Sequence, residues 1–131
     1  MMLLLDTHIA IWAVTRDARL SSKAIALLTN DANELFFSVV SLWEIGVKYA
    51  LPGTRGDPMP ISAARPMQLF VASGLTPLDL TPSHALRGET LMPLHRDPFD
   101  RLLVAQALAE SLRLITHDQK IAAYSDTVIL V

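Results

Sequence analysis

Short apolar runs alternate with longer stretches that carry helix signals along the whole chain. The apolar runs occur at residues 1–5, 35–40, 75–80, 113–116 and 128–131, and Pro77 weakens the third of them. Runs without a polar face are typical of strands that are buried on both sides in a parallel sheet. The pattern therefore predicts five short strands, most of them inside the molecule.

Between these runs the sequence predicts helices that begin at residues suited to N-caps. Thr81-Pro82 and Asp97-Pro98 combine a cap residue with proline at the first helical position. The predicted helices cover residues 7–14, a segment from a cap at Ser21 or Ser22 to about residue 30, and residues 41–51, 66–73, 82–88, 98–111 and 118–124. The alternation predicts an α/β fold: a single domain over residues 1–131, with a mostly parallel central β-sheet flanked by α-helices.

One segment breaks this alternation. Residues 52–60 hold three prolines and two glycines, which predicts a loop. It is the best candidate in the sequence for a mobile flap.

The composition narrows the possible function classes. The 131 residues are 51% hydrophobic and 18% charged, which excludes a disordered chain. The absence of cysteine excludes disulfide scaffolds, zinc ribbons, iron–sulfur sites and thiol nucleophiles. A net charge of −2 gives no general attraction for nucleic acid. No apolar run reaches the ~18–20 residues of a membrane span, so we expect a cytoplasmic protein without a membrane partner.

Four acidic residues stand where an α/β sheet places functional groups. Asp6 and Asp118 follow apolar strands, and Glu44 and Asp100 each lie three residues after a predicted helix cap. The carboxyl ends of parallel strands and the starts of the helices that follow them share one edge of the sheet, where ligands bind. We therefore expect the four carboxylates to converge on one cleft.

Converging carboxylates indicate a bound cation. They raise one another's pKa unless a cation lies between them. Oxygen ligands suit Mg²⁺ or Mn²⁺, and a carboxylate-bound divalent cation is the usual apparatus for hydrolysing a phosphodiester. The acids therefore favour a metal-dependent hydrolase of nucleic acid.

Structural roles for the same residues stand beside this interpretation. Glu44 fits a capping box opened by Ser41 and an i,i+4 pair with Lys48. Asp6 has no comparable structural explanation, because it is a lone acid that closes an apolar strand. The four histidines have no metal-ligand spacing, and we expect them at the surface or in supporting roles.

The remaining acids and two threonines have local alternatives as well. Asp97 fits the N-cap of its helix, Asp100 complements the helix dipole, and Asp118 fits the cap of a short helix. Thr7 and Thr116 lie near Asp6 and Asp118 in the sequence. Their hydroxyls are suited to holding a carboxylate or a metal-bound water, and equally to capping helices.

Four segments occur in order along the chain: LLLDTH at 3–8, SLWEI at 41–45, HRDPFDRLLVAQA at 95–107 and LITHD at 114–118. In order and spacing they resemble the signature of the PIN-domain family, and more narrowly that of the VapC-type toxins of toxin–antitoxin pairs. The likeness covers essentially the whole chain.

The resemblance implies a Mg²⁺- or Mn²⁺-dependent ribonuclease built on a parallel sheet. The acidic residues of the family match Asp6, Glu44, Asp100 and Asp118, with Asp97 as an additional acid. It also implies a homodimer and a small VapB-type antitoxin. The tail of such an antitoxin lies over the active site, and its other end binds the DNA of the operon.

We interpret the chain as an endoribonuclease in which a metal-activated water attacks phosphorus in line and leaves a 5′-phosphate and a 3′-hydroxyl. One alternative is a catalytically silent interaction domain that keeps the fold. A less favoured alternative is a phosphoacceptor module of the receiver or phosphatase type. The phosphatase pattern needs a second Asp at the position that His8 occupies.

Overall fold

The computed structural model describes residues 1–50 and 65–131, so the segment predicted as a flap, residues 52–60, lies outside the described residues. Within the described part, short strands and helices alternate as the apolar pattern predicts. In chain order they are β1 (Met2–Leu5), α1 (Thr7–Thr15), α2 (Ser22–Leu28), β2 (Glu34–Ser38), α3 (Val39–Ala50), α4 (Pro66–Ala72), β3 (Thr76–Leu78), α5 (Pro82–Glu89), α6 (Pro98–Ala109), β4 (Arg113–Thr116), α7 (Gln119–Ala122) and β5 (Ile129–Leu130).

The strands form one sheet in the order β3-β2-β1-β4-β5, and every neighbouring pair is parallel. The central strand is β1, in which Leu4 lies opposite Phe36 of β2 and Leu114 of β4. This topology confirms the predicted α/β fold with its parallel sheet. It also places the end of β1, and therefore Asp6, at the middle of the carboxyl edge.

Alternate side chains of β1 enter two apolar layers, one on each face of the sheet. Leu3 and Leu5 pack with Ile9 and Phe37 on one face, and Leu4 packs with residues of α6 and β4 on the other. All three leucines of β1 are fully buried. Burial of a leucine side chain contributes roughly 1.5–3 kcal/mol, so this strand anchors both layers.

Side-chain caps fix where most of the helices begin. Asp6, Ser21, Thr81, Asp97 and Asp118 each accept a backbone N–H from the first turn of the helix that follows. The sequence offers Ser21, Thr81, Asp97 and Asp118 as caps, but it gives Asp6 no structural role, and the structure adds one because Asp6 is the N-cap of α1. The caps proposed for Asp97 and Asp118 are thereby confirmed.

The start of α3 differs from the prediction. The second strand ends at Ser38, and the helix begins at Val39 rather than at Ser41. The Ser38 hydroxyl accepts the N–H of Val40 at 3.0 Å and so serves the first turn. The predicted capping box of Ser41 with Glu44 is therefore wrong. Two consecutive β-branched valines favour a strand locally, but here the tertiary contacts of the helix override that preference.

His84 also departs from its expected place at the surface. It is fully buried, and as the third residue of α5 it completes a capping box with Thr81. The longest helices of the described part, α3 and α6, have 12 residues each, and none there is long and apolar enough to cross a membrane.

Candidate metal centre

A cleft of about 230 Å³ opens at the carboxyl edge of the sheet. Its lining comes from segments that are far apart in the sequence, because the parallel topology brings strand ends and helix starts to this edge. The lining residues are Asp6, His8, Glu44, Lys48, His95, Asp97, Asp100, His117, Asp118 and Ile121.

Asp6 lies at the floor of the cleft, between β1 and α1. One carboxylate oxygen accepts the N–H of Ile9 at 2.8 Å, and the other accepts a short hydrogen bond from the Thr116 hydroxyl. Only 3% of the residue is exposed. Burial is the main cause that raises the pKa of Asp6 from 3.8 to about 6; the charges of Glu44 and Asp118 add to the rise. The carboxylate is thus held in place at an electrostatic cost.

Glu44 enters the cleft from α3 and is 1% exposed. Its Oε1 accepts a hydrogen bond from Thr7 Oγ1 at 2.5 Å, and Thr7 Oγ1 lies 2.9 Å from Ser41 Oγ. Its Oε2 forms a short ion pair with Lys48, one helical turn further along. Burial opposes the charge of Lys48, but the hydrogen bond and the negative charge of Glu44 raise the pKa of Lys48 above its usual range.

Asp97 and Asp100 lie at the start of α6. Asp97 Oδ1 caps the helix by accepting the N–H of Phe99 at 2.9 Å, and its Oδ2 lies 3.7 Å from Lys48 Nζ. Asp100 Oδ2 lies 2.7 Å from His95 Nε2. Burial, followed by the charge of Asp97, raises the pKa of Asp100 from 3.8 to about 7.

Asp118 lines the same cleft from the segment between β4 and α7. Its Oδ1 accepts the N–H of Lys120 at 2.8 Å, and its own N–H donates to Thr116 Oγ1 at 3.1 Å. Its Oδ2 lies 3.7 Å from His95 Nε2. Thr116 thereby connects Asp118 to Asp6, since the same hydroxyl binds both residues.

The cleft brings together the four acids that the sequence singles out, and Asp97 with them. The threonines hold carboxylates: Thr7 binds Glu44 and Thr116 binds Asp6. The expected i,i+4 pair of Glu44 with Lys48 is present as well.

The sequence does not predict that two basic residues, Lys48 and His95, line the cleft beside the acids. Lys48 reads only as a helix partner of Glu44, and its contact with Asp97 depends on the packing of α3 against α6. His95 lies in a connecting segment without periodicity; it opens the segment at 95–107 that carries the family resemblance, but the sequence assigns it only a surface or supporting role. Its backbone N–H donates to the Tyr124 hydroxyl at 3.0 Å, which fixes this segment against the end of α7.

The donor atoms of the cleft suit a hard divalent cation. Among the described residues, two groups of three side chains bring ligand atoms within 4.8 Å of one another: Glu44 with Asp97 and Asp100, and His95 with Asp100 and Asp118. Carboxylate oxygens predominate, which favours Mg²⁺ or Mn²⁺. Burial, with a smaller contribution from neighbouring carboxylates, raises the pKa values of Asp6 and Asp100, and a bound cation would stabilise their charged forms.

A larger cavity, of about 370 Å³, lies between α1, α2 and the region of β3, and most of its lining is apolar. Asp17 is its acidic residue, and that carboxylate pairs with Arg19 at 2.8 Å. This cavity assembles no group of carboxylates, so the smaller, acidic cleft is the candidate site.

Comparisons with known proteins agree with the architecture. Three solved structures share the fold: VapBC2 from Rickettsia felis bound to a DNA fragment from their promoter (20% identity, TM-score 0.68, 100% of this chain and 98% of that chain), FitAcB from Neisseria gonorrhoeae (19%, 0.62, 99% and 97%), and FitAB bound to an IR36 DNA fragment (18%, 0.62, 99% and 94%). A search of curated proteins finds no match. The family model of the PIN domain matches residues 3–126, so the chain belongs to the PIN domain family.

Proposed function

We propose that this chain is a divalent-metal-dependent endoribonuclease that acts as the VapC-type toxin of a toxin–antitoxin pair. PIN domains are generally nucleases. The observation that carries the proposal is the meeting of carboxylates from four separate segments in one cleft, two of them with raised pKa values. Repulsion between these carboxylates is destabilising by itself. A divalent cation that they bind would relieve the repulsion and could bind the phosphodiester of a substrate.

In this proposal Asp6, Glu44, Asp100 and Asp118 hold Mg²⁺ or Mn²⁺. The bound cation supplies an activated water and neutralises charge on the scissile phosphate. The oxygen-rich donor set fits either ion, and the chain has no cysteine that would favour a softer metal.

Other residues of the cleft orient the carboxylates. The hydroxyls of Thr7 and Thr116 bind one oxygen each of Glu44 and Asp6, and His95 binds Asp100. Such fixed partners limit rotation of the ligands and thereby favour metal binding. Attack by water on phosphorus with cleavage of the bond between phosphorus and the 3′ oxygen would leave a 5′-phosphate and a 3′-hydroxyl, and this route needs no ribose 2′-hydroxyl as nucleophile.

We propose that this chain also binds an antitoxin and a second copy of itself. Structural neighbours of this chain are VapBC and FitAB assemblies, which supports a VapB-type antitoxin here. Large apolar side chains such as Trp43 and Met92 are 68% exposed, which is compatible with a homodimer and an antitoxin contact. An enzyme that cuts cellular RNA under control of such an antitoxin acts in the cytoplasm.

The phosphoacceptor alternative is disfavoured by the state of Asp6. A phosphoacceptor carboxylate has to be reached by a bulky phosphoryl donor, but Asp6 lies at the floor of the cleft and is only 3% exposed.

The test is an end-mapped digest of total cellular RNA by the purified protein with Mg²⁺. We expect discrete new 5′-phosphate ends that are absent with EDTA and absent with the Asp100→Asn variant. Asp31→Asn is a matched control, because Asp31 is an exposed acid outside the cleft and its loss should leave cleavage unchanged.

New ends that persist in EDTA and with Asp100→Asn would overturn the proposed site. No new ends with any variant, on RNA from several growth conditions, would favour the silent interaction domain instead.

A further inference from the structure

The acidic cleft offers donor atoms for cations in two places. Glu44, Asp97 and Asp100 form one group of three, and His95, Asp100 and Asp118 form the other. Asp100 belongs to both groups and so lies between them. The donor atoms alone would therefore allow two divalent ions.

A protein cation already lies against the first group. Lys48 Nζ forms a short ion pair with Glu44 Oε2, lies 3.7 Å from Asp97 Oδ2, and lies 5.8 Å from the centre of the Phe99 ring. The negative charge of Asp100 also contributes to the raised pKa of Lys48. The ammonium thus lies against two of the three carboxylates of this group, Glu44 and Asp97.

Lys48 is also held in this position. Its partner Glu44 is 1% exposed, and the Thr7 hydroxyl fixes the other oxygen of that carboxylate. The pair lies on one face of α3 at i,i+4 spacing, which brings the two side chains together without any rearrangement of the helix.

The two groups therefore differ in what they can accept. An ammonium has three donors and no acceptor, so it cannot share a metal ion and repels one nearby. An imidazole nitrogen can be a metal ligand, so the basic residue of the second group is compatible with a bound cation.

We propose that the Lys48 ammonium takes the place of a second divalent cation, so that this chain binds one metal ion, on the side of Asp100 and Asp118. The inference rests on the proposed metal-dependent nuclease and changes one part of it, because Glu44 then pairs with Lys48 instead of holding the ion. It assigns to Lys48 the neutralisation of Glu44 and Asp97 that a second ion would otherwise provide.

The experiment counts bound Mn²⁺ per chain by titration, with the electron paramagnetic resonance signal of free Mn²⁺ as readout. We expect one ion for the wild-type chain and two for Lys48→Met. Lys48→Arg keeps the positive charge and should bind one ion. Lys120→Met is the matched control, because it removes the charge of an exposed lysine beside Asp118 and should also bind one ion.

Lys48→Gln provides a second neutral variant in case Lys48→Met does not fold, as judged by circular dichroism. Anomalous scattering from Mn²⁺ in crystals of the neutral variant should show a second peak beside Glu44 and Asp97.

Two ions bound by the wild-type chain, or one ion bound by both neutral variants, would overturn the inference while leaving the nuclease proposal intact. No Mn²⁺ bound by the wild-type chain would overturn the proposed metal centre and the inference together. The RNA digest separates these cases, since it tests cleavage without counting ions.

Discussion

Two regions in the described part of this molecule contain buried polar side chains, and they differ in how those side chains are paired. In the acidic cleft, five carboxylates face one lysine and nearby histidines. In the other region, which we call the Gln106 network, four side chains satisfy one another. Ser38 donates to Gln106 Oε1 at 2.5 Å, Gln106 Nε2 lies 3.4 Å from His84 Nδ1, and His84 Nε2 lies 2.7 Å from Glu110.

The difference shows which kind of polar burial marks a functional site. Ser38, His84 and Gln106 are all fully buried, yet each has partners of complementary character, as a structural network requires. The acidic cleft keeps carboxylates of like charge together, with the pKa values of Asp6 and Asp100 raised. Both regions contain buried polar groups, and the clustering of like charges in addition to burial distinguishes the acidic cleft.

Asp100→Asn is the variant for which we expect the largest effect. The variant keeps the shape of the side chain but removes a charged ligand, so we expect RNA cleavage to fall by about 10²–10³-fold, since metal stabilisation of the transition state is worth several kcal/mol. Circular dichroism should show an intact fold. Unfolding of this variant would mean that Asp100 is structural, like the Gln106 network.

The pH dependence of stability is the next test, in metal-free protein. The folded-state pKa of Asp6 is about 6 against 3.8 for the free group, so the folded state binds more protons than the unfolded state between these values. The stabilising contribution of protonated Asp6 is complete below about pH 4 and lost as the pH rises through about 6. Its loss is on the order of 2–3 kcal/mol.

Denaturant titrations at several pH values measure this effect. We expect Asp6→Asn to flatten the fall in unfolding free energy between about pH 4 and pH 7, and so to be more stable than the wild-type chain near neutral pH. If the unfolding free energy of Asp6→Asn fell with pH as steeply as that of the wild-type chain, the raised pKa of Asp6 would not be the cause of the fall.

Disruption of the Gln106 network should have the opposite signature. Gln106→Met keeps the volume but leaves the buried Ser38 hydroxyl proton without its acceptor and removes the contact of Gln106 with His84, so we expect a loss of about 1–3 kcal/mol in unfolding free energy. RNA cleavage below the melting temperature should be unchanged. A stable variant that lost cleavage would show that this network belongs to the site.

The smallest expected effect concerns His95, which orients Asp100 without being one of the acids. We expect His95→Gln to weaken Mn²⁺ binding by about tenfold, because partners of metal ligands typically contribute 10–100-fold to affinity. Calorimetric titration of both proteins measures the change. Equal affinities of the wild-type chain and His95→Gln for Mn²⁺ would mean that the start of α6, without His95, is enough to orient Asp100.

The sequence predicts more of the scaffold than of the site. Strands such as β4, the caps at Thr81 and Asp97 and the parallel sheet follow from short apolar runs and cap signals, which are local. The start of α3 does not follow from local signals, because Val39 and Val40 favour a strand when they are considered alone. The buried position of His84 depends on Glu110 and Gln106, which are distant in the sequence.

The sequence by itself determined the α/β class, the carboxyl edge as the place of the acids, and Asp6, Glu44, Asp100 and Asp118 as its candidate residues. Only the tertiary structure decided what lies between them. The contact of Lys48 with Asp97 and that of His95 with Asp100 and Asp118 join segments whose distances depend on packing. Periodicity and caps act within a few residues, whereas the electrostatics of the cleft depend on contacts between separate elements.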